Sequence, residues 1–327
     1  MIKKLYILLL FFSSILLLSA CGNITMEQQV ESLIESNDLL ERKEIAYSLA
    51  DSLNTHAVEL IINNHFITES RSKQAIKNML TRYSEILKKH PSDTERAIKC
   101  VRFIADPSTQ NENSLTQQKI DFIIHGLLIR NSNLNYQKTL AISATKHGNS
   151  AMVEIINEWI KNKDSKELLY AITNFQEEAI KYLSEKIVDD KDVVELLAQI
   201  GEPAVNAMIN QMQNSDQSVR FAAGDVLVKM LNYHPDAVVR LTSAIDNNGV
   251  KLIAKNYPFY IRLGQVNTEE ILLKALNINF STEMCVDYLN CGSTELESGA
   301  TDIARKHGYI VTPGFGGHSG PRWGSGN

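Results

Sequence analysis

Apolar residues recur every three or four positions from about residue 29 to residue 308. Two such sets are Val30, Leu33, Ile34, Leu39 and Leu40, and Ile76, Leu80, Tyr83 and Leu87. This spacing predicts amphipathic helices, because a half-buried strand would alternate at every second residue. Convincing alternation is missing, so the sequence predicts an all-α fold built from many short helices of about 10–15 residues each.

Polar residues and glycines mark where these helices begin and end. Ser92-Asp93-Thr94-Glu95 predicts a capping box at one helix start, and Thr294-Glu295-Leu296-Glu297 predicts another. Basic residues followed by glycine predict helix ends at Gly148 and at Gly308. The predicted helices are therefore numerous and short, which is typical of repeat proteins.

The clearest repeat unit runs from Leu197 to Leu227. It contains Gly201-Glu202-Pro203-Ala204 and then Asp216-Gln217-Ser218-Val219-Arg220, followed by small residues and a leucine. This resembles a HEAT repeat, whose helix pair opens on Gly-x-Pro-Ala and continues with Asp-x-x-Val-Arg. The resemblance implies an α-solenoid of stacked short helix pairs, HEAT- or armadillo-like. It also implies that Asp216 and Arg220 form a structural ladder between neighbouring repeats.

Weaker copies flank this unit. The matched alanines are 151, 179, 204 and 237, so their spacings are 28, 25 and 33 residues. These spacings are shorter and more variable than in a regular repeat of this type, which leaves the number of repeats open. The resemblance covers roughly residues 140–309, whereas 29–139 belong to the predicted repeat domain, 29–309, by continuity.

The first 20 residues predict a secretory signal peptide. Lys3 and Lys4 precede an apolar run from Leu5 to Leu18, which is short for a membrane span. Leu18-Ser19-Ala20-Cys21 resembles the lipobox of bacterial lipoproteins, which implies cleavage before Cys21 and lipid attachment to its thiol. The alternative is an uncleaved membrane anchor.

The lipobox resemblance also predicts the location of the protein. Residues 21–28 would be a short tether, and the protein would sit on the extracytoplasmic face of the cell membrane or the outer membrane. The membrane contact would then run through the lipid anchor. The sequence does not distinguish between these two membranes.

Charge excludes nucleic acid as a partner. The chain has 33 basic and 38 acidic residues, and removal of Lys3 and Lys4 with the leader leaves a net charge of −7. Nucleic-acid binding requires clustered Lys and Arg to neutralise phosphates. The other composition values, 44% hydrophobic and 22% charged residues, are ordinary for a globular protein.

Three cysteines remain besides Cys21. Cys100 lies in an apolar helical stretch, which predicts a small buried hydrophobic residue. Cys285 and Cys291 are six residues apart and would face different sides of a continuous helix. A disulfide between them would require the helix to end near Asn290, and the sequence leaves this open.

The known catalytic motifs are absent from the sequence. It has no His-Glu-x-x-His, no phosphate-binding glycine loop and no Cys-x-x-Cys. Gly317-His318-Ser319-Gly320 lacks the second glycine of a nucleophile elbow, because Pro321 occupies that position. We therefore predict no catalytic residues, no metal site and no cofactor.

These observations favour a lipid-anchored, non-catalytic scaffold for an unknown protein partner. One alternative is an immunity or inhibitor lipoprotein that binds a toxin or hydrolase. The other is a lyase-like repeat enzyme, because some similar repeat proteins act on bilin chromophores.

The C-terminal tail, 310–327, has a different composition. The stretch from Gly314 to Asn327 contains six glycines, which predicts a flexible, disordered chain. Phe315 and Trp323 are candidates for docking on a partner, because exposed aromatic residues are frequent binding anchors. The alternative is an inert end.

Overall fold

The structure is a computed structural model in which every regular element is helical, within the ranges it describes. Those ranges are 24–63, 69–106, 116–129, 133–234, 250, 253–264, 268–311 and 320–325. The all-α prediction is confirmed for this part of the chain. The predicted leader, Cys21, Phe315 and the repeat copy near Ala237 lie outside the described residues.

The chain divides into two compact units, Met1–Asn174 and Phe175–Asn327. A short 3-10 turn, Pro91–Asp93, lies in the first unit. The helices of the first unit are α1 (Met26–Glu35), α2 (Leu39–Asp51), α3 (Thr55–Asn63), α4 (Glu69–Lys89), α5 (Thr94–Ala105), α6 (Thr116–Leu128), α7 (Leu134–Lys146), α8 (Gly148–Lys161) and α9 (Lys166–Thr173).

The second unit continues with equally short helices. One of them, α14, has 253–263 as its described helical stretch. The others are α10 (Glu177–Ser184), α11 (Lys191–Ile200), α12 (Glu202–Gln211), α13 (Gln217–Met230), α15 (Glu269–Ile278), α16 (Thr282–Asn290) and α17 (Thr294–Lys306).

In the first unit, each helix packs on the next helix and on the next but one. In the first unit, α1, α3, α5, α7 and α9 contact one another in that order, and α2, α4, α6 and α8 form a second series. Successive helices of the two series also touch. The same relation joins α10 to α12, α11 to α13 and α15 to α17 in the second unit. The apolar faces of short helices are thereby buried against near neighbours in the chain.

The glycine stop signals are confirmed. α7 ends at Lys146 and is followed by Gly148 at φ +63°, and α17 ends at Lys306 and is followed by Gly308 at φ +82°. Glycine adopts this left-handed conformation without the steric penalty that a Cβ atom brings. These two turns redirect the chain at the predicted places.

The capping predictions succeed less well. The predicted box at Ser92 is wrong, because α5 begins at Thr94 after the 3-10 turn and its N-cap, Asp93, makes no side-chain capping bond. In α17 the N-cap is Ser293, whose hydroxyl accepts from the backbone N–H of Leu296 at 3.3 Å. That cap lies one residue before the predicted position.

Leu39 and Leu40 do not continue the buried face of α1. They are 70% and 62% exposed, whereas Val30 and Leu33 are buried. The periodicity is interrupted because α1 ends at Glu35, and a new helix, α2, begins at Leu39. The predicted set from Val30 to Leu40 therefore combined residues of two different helices, α1 and α2, into a single apolar face.

The core of the first unit contains large aromatic side chains. Tyr83, Tyr136 and Trp159 are almost completely buried, on α4, α7 and α8. The predicted face of α4 is confirmed, because all four of its named residues are buried. Tyr288 is the largest fully buried side chain of the second unit.

Candidate interaction surfaces

A groove of about 430 Å³ lies between α16 and α17 in the second unit. Its apolar lining consists of Phe280, Cys285, Val286, Leu289, Ala304, Tyr309, Ile310 and Val311. We call it the C-terminal groove. Ile310 is 91% exposed and Tyr309 is 50% exposed. Exposed apolar side chains grouped around a concave surface are typical of protein-binding sites.

The end of α17 sets the position of Tyr309 in this groove. After Gly308, the backbone N–H of Tyr309 donates back to the carbonyl of Ala304 at 3.0 Å, which closes a Schellman-type turn. The Phe280 ring stacks on the rings of His307 and Tyr309, with centroids 4.1 and 5.4 Å apart. The turn at residues 306–309 therefore places His307 and Tyr309 at the aromatic rim of the groove. From the sequence, this turn was predicted only as a helix end.

A second, more polar groove of about 700 Å³ lies between α5 and α7 in the first unit. Arg102 and Lys138 line it, and neither forms an ion pair with a described residue. At one end Lys146 pairs with Asp106, the C-cap of α5. The buried ammonium of Lys119 donates to the Asp106 carbonyl at 2.6 Å, and burial lowers the pKa of Lys119. These contacts fix the end of α5.

Polar side chains also join neighbouring helices of the second unit. Lys229 Nζ lies 2.8 Å from Glu195 Oε2, and the Tyr233 hydroxyl donates to the same carboxylate. Burial alone would raise the pKa of Glu195, but hydrogen bonds from these partners outweigh it and lower that pKa. Arg262 on α14 pairs with Asp225 on α13. Cross-helix pairs thus connect α11, α13 and α14.

The described contacts of Asp216 and Arg220 are local, and the ladder to the neighbouring repeat stays a prediction, because the repeat copy near Ala237 lies outside the described residues. Asp216 is the N-cap of α13 and accepts from the backbone N–H of Ser218 at 2.8 Å. Arg220 Nη1 donates to the carbonyls of Asn214 and Ser215, at 3.0 and 2.9 Å. Both side chains therefore stabilise the turn before their own helix. The helices α12 and α13 nevertheless start where the motif indicated, at Glu202 and Gln217.

The capping role of Asp216 leads to a stability prediction. We expect Asp216→Ala to lower the free energy of unfolding by about 1 kcal/mol, because the first-turn amide loses its acceptor. Asp216→Asn should stay within a few tenths of a kcal/mol, because Asn is an equally good cap. Urea unfolding followed by circular dichroism measures both values. An Asn variant as unstable as the Ala variant would mean that the charge, not the cap, stabilises this turn.

The three described cysteines are buried free thiols. The prediction for Cys100 is confirmed, because its side chain is fully buried. α16 ends just before Cys291, as a disulfide would require, but the two thiols are unbonded. The Cys285 thiol points to the Ala300 carbonyl at 3.7 Å, and burial raises the pKa of all three thiols. They are therefore protonated at neutral pH.

Part of the C-terminal tail is also ordered. Trp323 is half-buried, and its backbone N–H donates to the Cys291 carbonyl at 2.8 Å. For residues 320–325 the structure thus differs from the predicted flexible chain, since composition does not report backbone contacts. Cys21 and Phe315, the other predicted site residues, lie outside the described ranges.

Among the described residues, no three His, Cys, Asp or Glu side chains gather as metal ligands. In the same part of the chain, no helix has the length and apolar character needed to cross a bilayer. Comparison with known protein families and with curated proteins found no match for this chain. The fold defines the class as an all-helical protein in which neighbouring helices pack together.

Proposed function

We propose that this chain is a lipid-anchored, non-catalytic scaffold that binds another protein on the extracytoplasmic face of a bacterial membrane. The anchor is proposed from Leu18-Ser19-Ala20-Cys21, which follows a basic and then an apolar segment. Two acyl chains on a protein give stable membrane attachment. The helical part of the chain would then present its surfaces next to the bilayer.

The proposed architecture is an α-solenoid of helix pairs. Contacts between alternate helices, which run without a break from α1 to α9, support it, because stacked pairs produce two series of this kind. The positions of Gly201 and Asp216 at the starts of α12 and α13 also support it. Solenoids present extended surfaces to partners, which suits a scaffold.

The observation that carries the binding role is the C-terminal groove. A single exposed apolar side chain needs no explanation, but Val286, Tyr309 and Ile310 are exposed together around one concavity. Glu297 and Arg305 add charged groups to its lining. A partner that inserts apolar side chains and meets a polar rim would match this arrangement.

Site-specific crosslinking in intact cells tests this assignment. A photoreactive amino acid at position 310 should capture one defined protein, and the same probe at Leu134, an exposed position on α7, should not. Equal capture at both positions, or no capture at 310, would contradict the groove as the binding site. Capture of a toxin or hydrolase that loses activity on binding would instead assign an inhibitor role.

A charge in the groove should weaken partner binding. We expect Ile310→Asp to reduce partner recovery about tenfold, because truncating a buried interface anchor costs more than about 1 kcal/mol. Leu134→Asp is the matched control and should leave recovery unchanged. Thermal unfolding of both variants should match that of the unmodified protein within about 0.5 kcal/mol, because both positions are exposed. Affinity isolation with quantitative mass spectrometry measures the recovery.

A further inference from the structure

Residues 320–325 lie against the ends of two helices of the second unit. The backbone N–H of Trp323 donates to the Cys291 carbonyl at 2.8 Å, and the N–H of Gly324 donates to the Ile261 carbonyl at 3.0 Å. Consecutive residues of the segment therefore bind α16 and α14. The segment itself contains neither helix nor strand.

Both acceptors are carbonyls that a helix end leaves without a partner. Cys291 is the C-cap of α16, and Ile261 lies in the last turn of α14. The last four carbonyls of a helix have no intrahelical donor. Two N–H groups of the C-terminal segment supply donors here. Trp323 and Gly324 are the central residues of a turn, in which the Ser325 N–H donates to the Arg322 carbonyl at 3.2 Å. The ends of α14 and α16 therefore form a pair of acceptors that matches the two central N–H groups of this turn.

Two glycines make this contact sterically feasible. A Cβ atom on Gly264 would lie 2.3 Å from the Gly324 Cα and 2.4 Å from its nitrogen. Any side chain at 264 would therefore displace the segment. Gly324 itself is at φ +67°, a conformation that costs other residues roughly 1–2 kcal/mol. The geometry thus selects glycine directly after the residue that binds Cys291.

We propose that this is a peptide-binding site for a glycine-containing turn, and that the chain's own C-terminal segment occupies it as a detachable clasp. The site is formed by the carbonyls of Ile261 and Cys291 and by the bare backbone at Gly264. Only eight residues separate Val311 from the segment, so its effective concentration is on the order of millimolar. An intrinsic dissociation constant of about 0.1 millimolar is then enough to keep the clasp closed in about nine molecules out of ten.

When the clasp opens, Trp323 is freed and the site accepts the same sequence from a second copy of the chain. This inference does not depend on the lipid anchor or on the C-terminal groove. The C-terminal segment then has a binding partner within its own molecule. The glycine content of the sequence had predicted a free end instead. The occupant exchanged in this way is the segment around Trp323-Gly324, whose glycine the site selects.

Binding of the detached segment tests the site directly. We expect a peptide of residues 320–327 with 5-fluorotryptophan at 323 to bind the chain truncated after Ser319, with a dissociation constant of about 0.1 millimolar, roughly tenfold below the effective concentration of the tethered segment. Fluorine NMR should show saturable shifts with the truncated chain and at least about tenfold weaker binding to the full chain, whose site is occupied. A Gly324→Ala peptide should bind more weakly. The proposal is overturned if the truncated chain is folded and does not bind the unmodified peptide.

Gly264→Ala tests the closed clasp in the full chain. We expect trypsin to release residues 323–327 by cleavage after Arg322 about tenfold faster, because cleavage follows the population of the open state. Gly148→Ala is the matched control. Gly148 has nearly the same φ, +63° against +60°, but nothing lies within 4 Å of a Cβ placed there. The measurement is mass spectrometry of the released peptide.

Two outcomes of this experiment bear on the clasp in opposite ways. Faster release from Gly264→Ala, with helix content and cleavage elsewhere equal to the Gly148→Ala control, supports it. Equal release from both variants contradicts it. Should Gly264→Ala lose its helix content, the peptide titration on the truncated chain decides instead.

Discussion

Replacement of Cys21 by alanine is expected to move the protein from the membrane fraction to the soluble fraction. The thiol of Cys21 is the group that would carry a diacylglycerol, according to the lipobox resemblance. Each buried methylene stabilises membrane attachment by about 0.8 kcal/mol, so two acyl chains dominate every other contact with the bilayer. Labelling with radioactive palmitate and partition into detergent measure the effect.

Cys100→Ala provides the control for this change. It removes a cysteine that is fully buried in α5 and has no access to an acyl donor. Labelling and partition should therefore equal those of the unmodified protein. A Cys21→Ala protein that stays in the membrane fraction without label would indicate that Leu5–Leu18 persists as an uncleaved anchor, the alternative that the sequence leaves open.

Trp159→Ala should produce the largest loss of stability among core substitutions. Trp159 is 0% exposed on α8, and removal of a buried indole costs about 3–5 kcal/mol through lost burial and the cavity that remains. Trp159→Phe should cost less, because the indole N–H has no hydrogen-bond partner among the described residues and most of the ring volume is kept. Urea unfolding followed by circular dichroism at 222 nm gives both values.

The exposed residue Ile310 supplies the reference for this measurement. Ile310→Ala should change the free energy of unfolding by less than about 0.5 kcal/mol, because the side chain is 91% exposed. A Trp159→Ala protein as stable as Ile310→Ala would show that the core around α8 closes over the missing ring. A Phe variant as unstable as the Ala variant would show that the indole N–H is needed.

The sequence predicted the fold class because helix periodicity and glycine stops are local signals. Gly148 and Gly308 end helices through their own backbone conformation, which requires no knowledge of distant residues. The capping box at Ser92 failed because a 3-10 turn preceded the helix and moved its start. The grouping of Leu39 with Val30 failed because α1 ends between them, so the helical periodicity does not continue from one residue to the other.

The contacts between helices join residues that are far apart in the sequence, so a local sequence pattern does not predict them. Glu195 and Tyr233 are 38 positions apart, and their hydrogen bond follows from the packing of α11 and α13. The same holds for Trp323 and Cys291, whose contact is made by backbone atoms that every residue possesses. Composition therefore indicated a free tail, since glycine content predicts flexibility and not the acceptors available nearby.

The packing of each helix on its near neighbours also determines how the chain folds. Contacting residues are close in sequence, so little chain entropy is lost before the first contacts form, and folding of such topologies is fast. Under the export that we propose for this chain, fast local folding would be an advantage. The first helices that emerge on the far side of a membrane can pack on one another while the rest of the chain is still in transit.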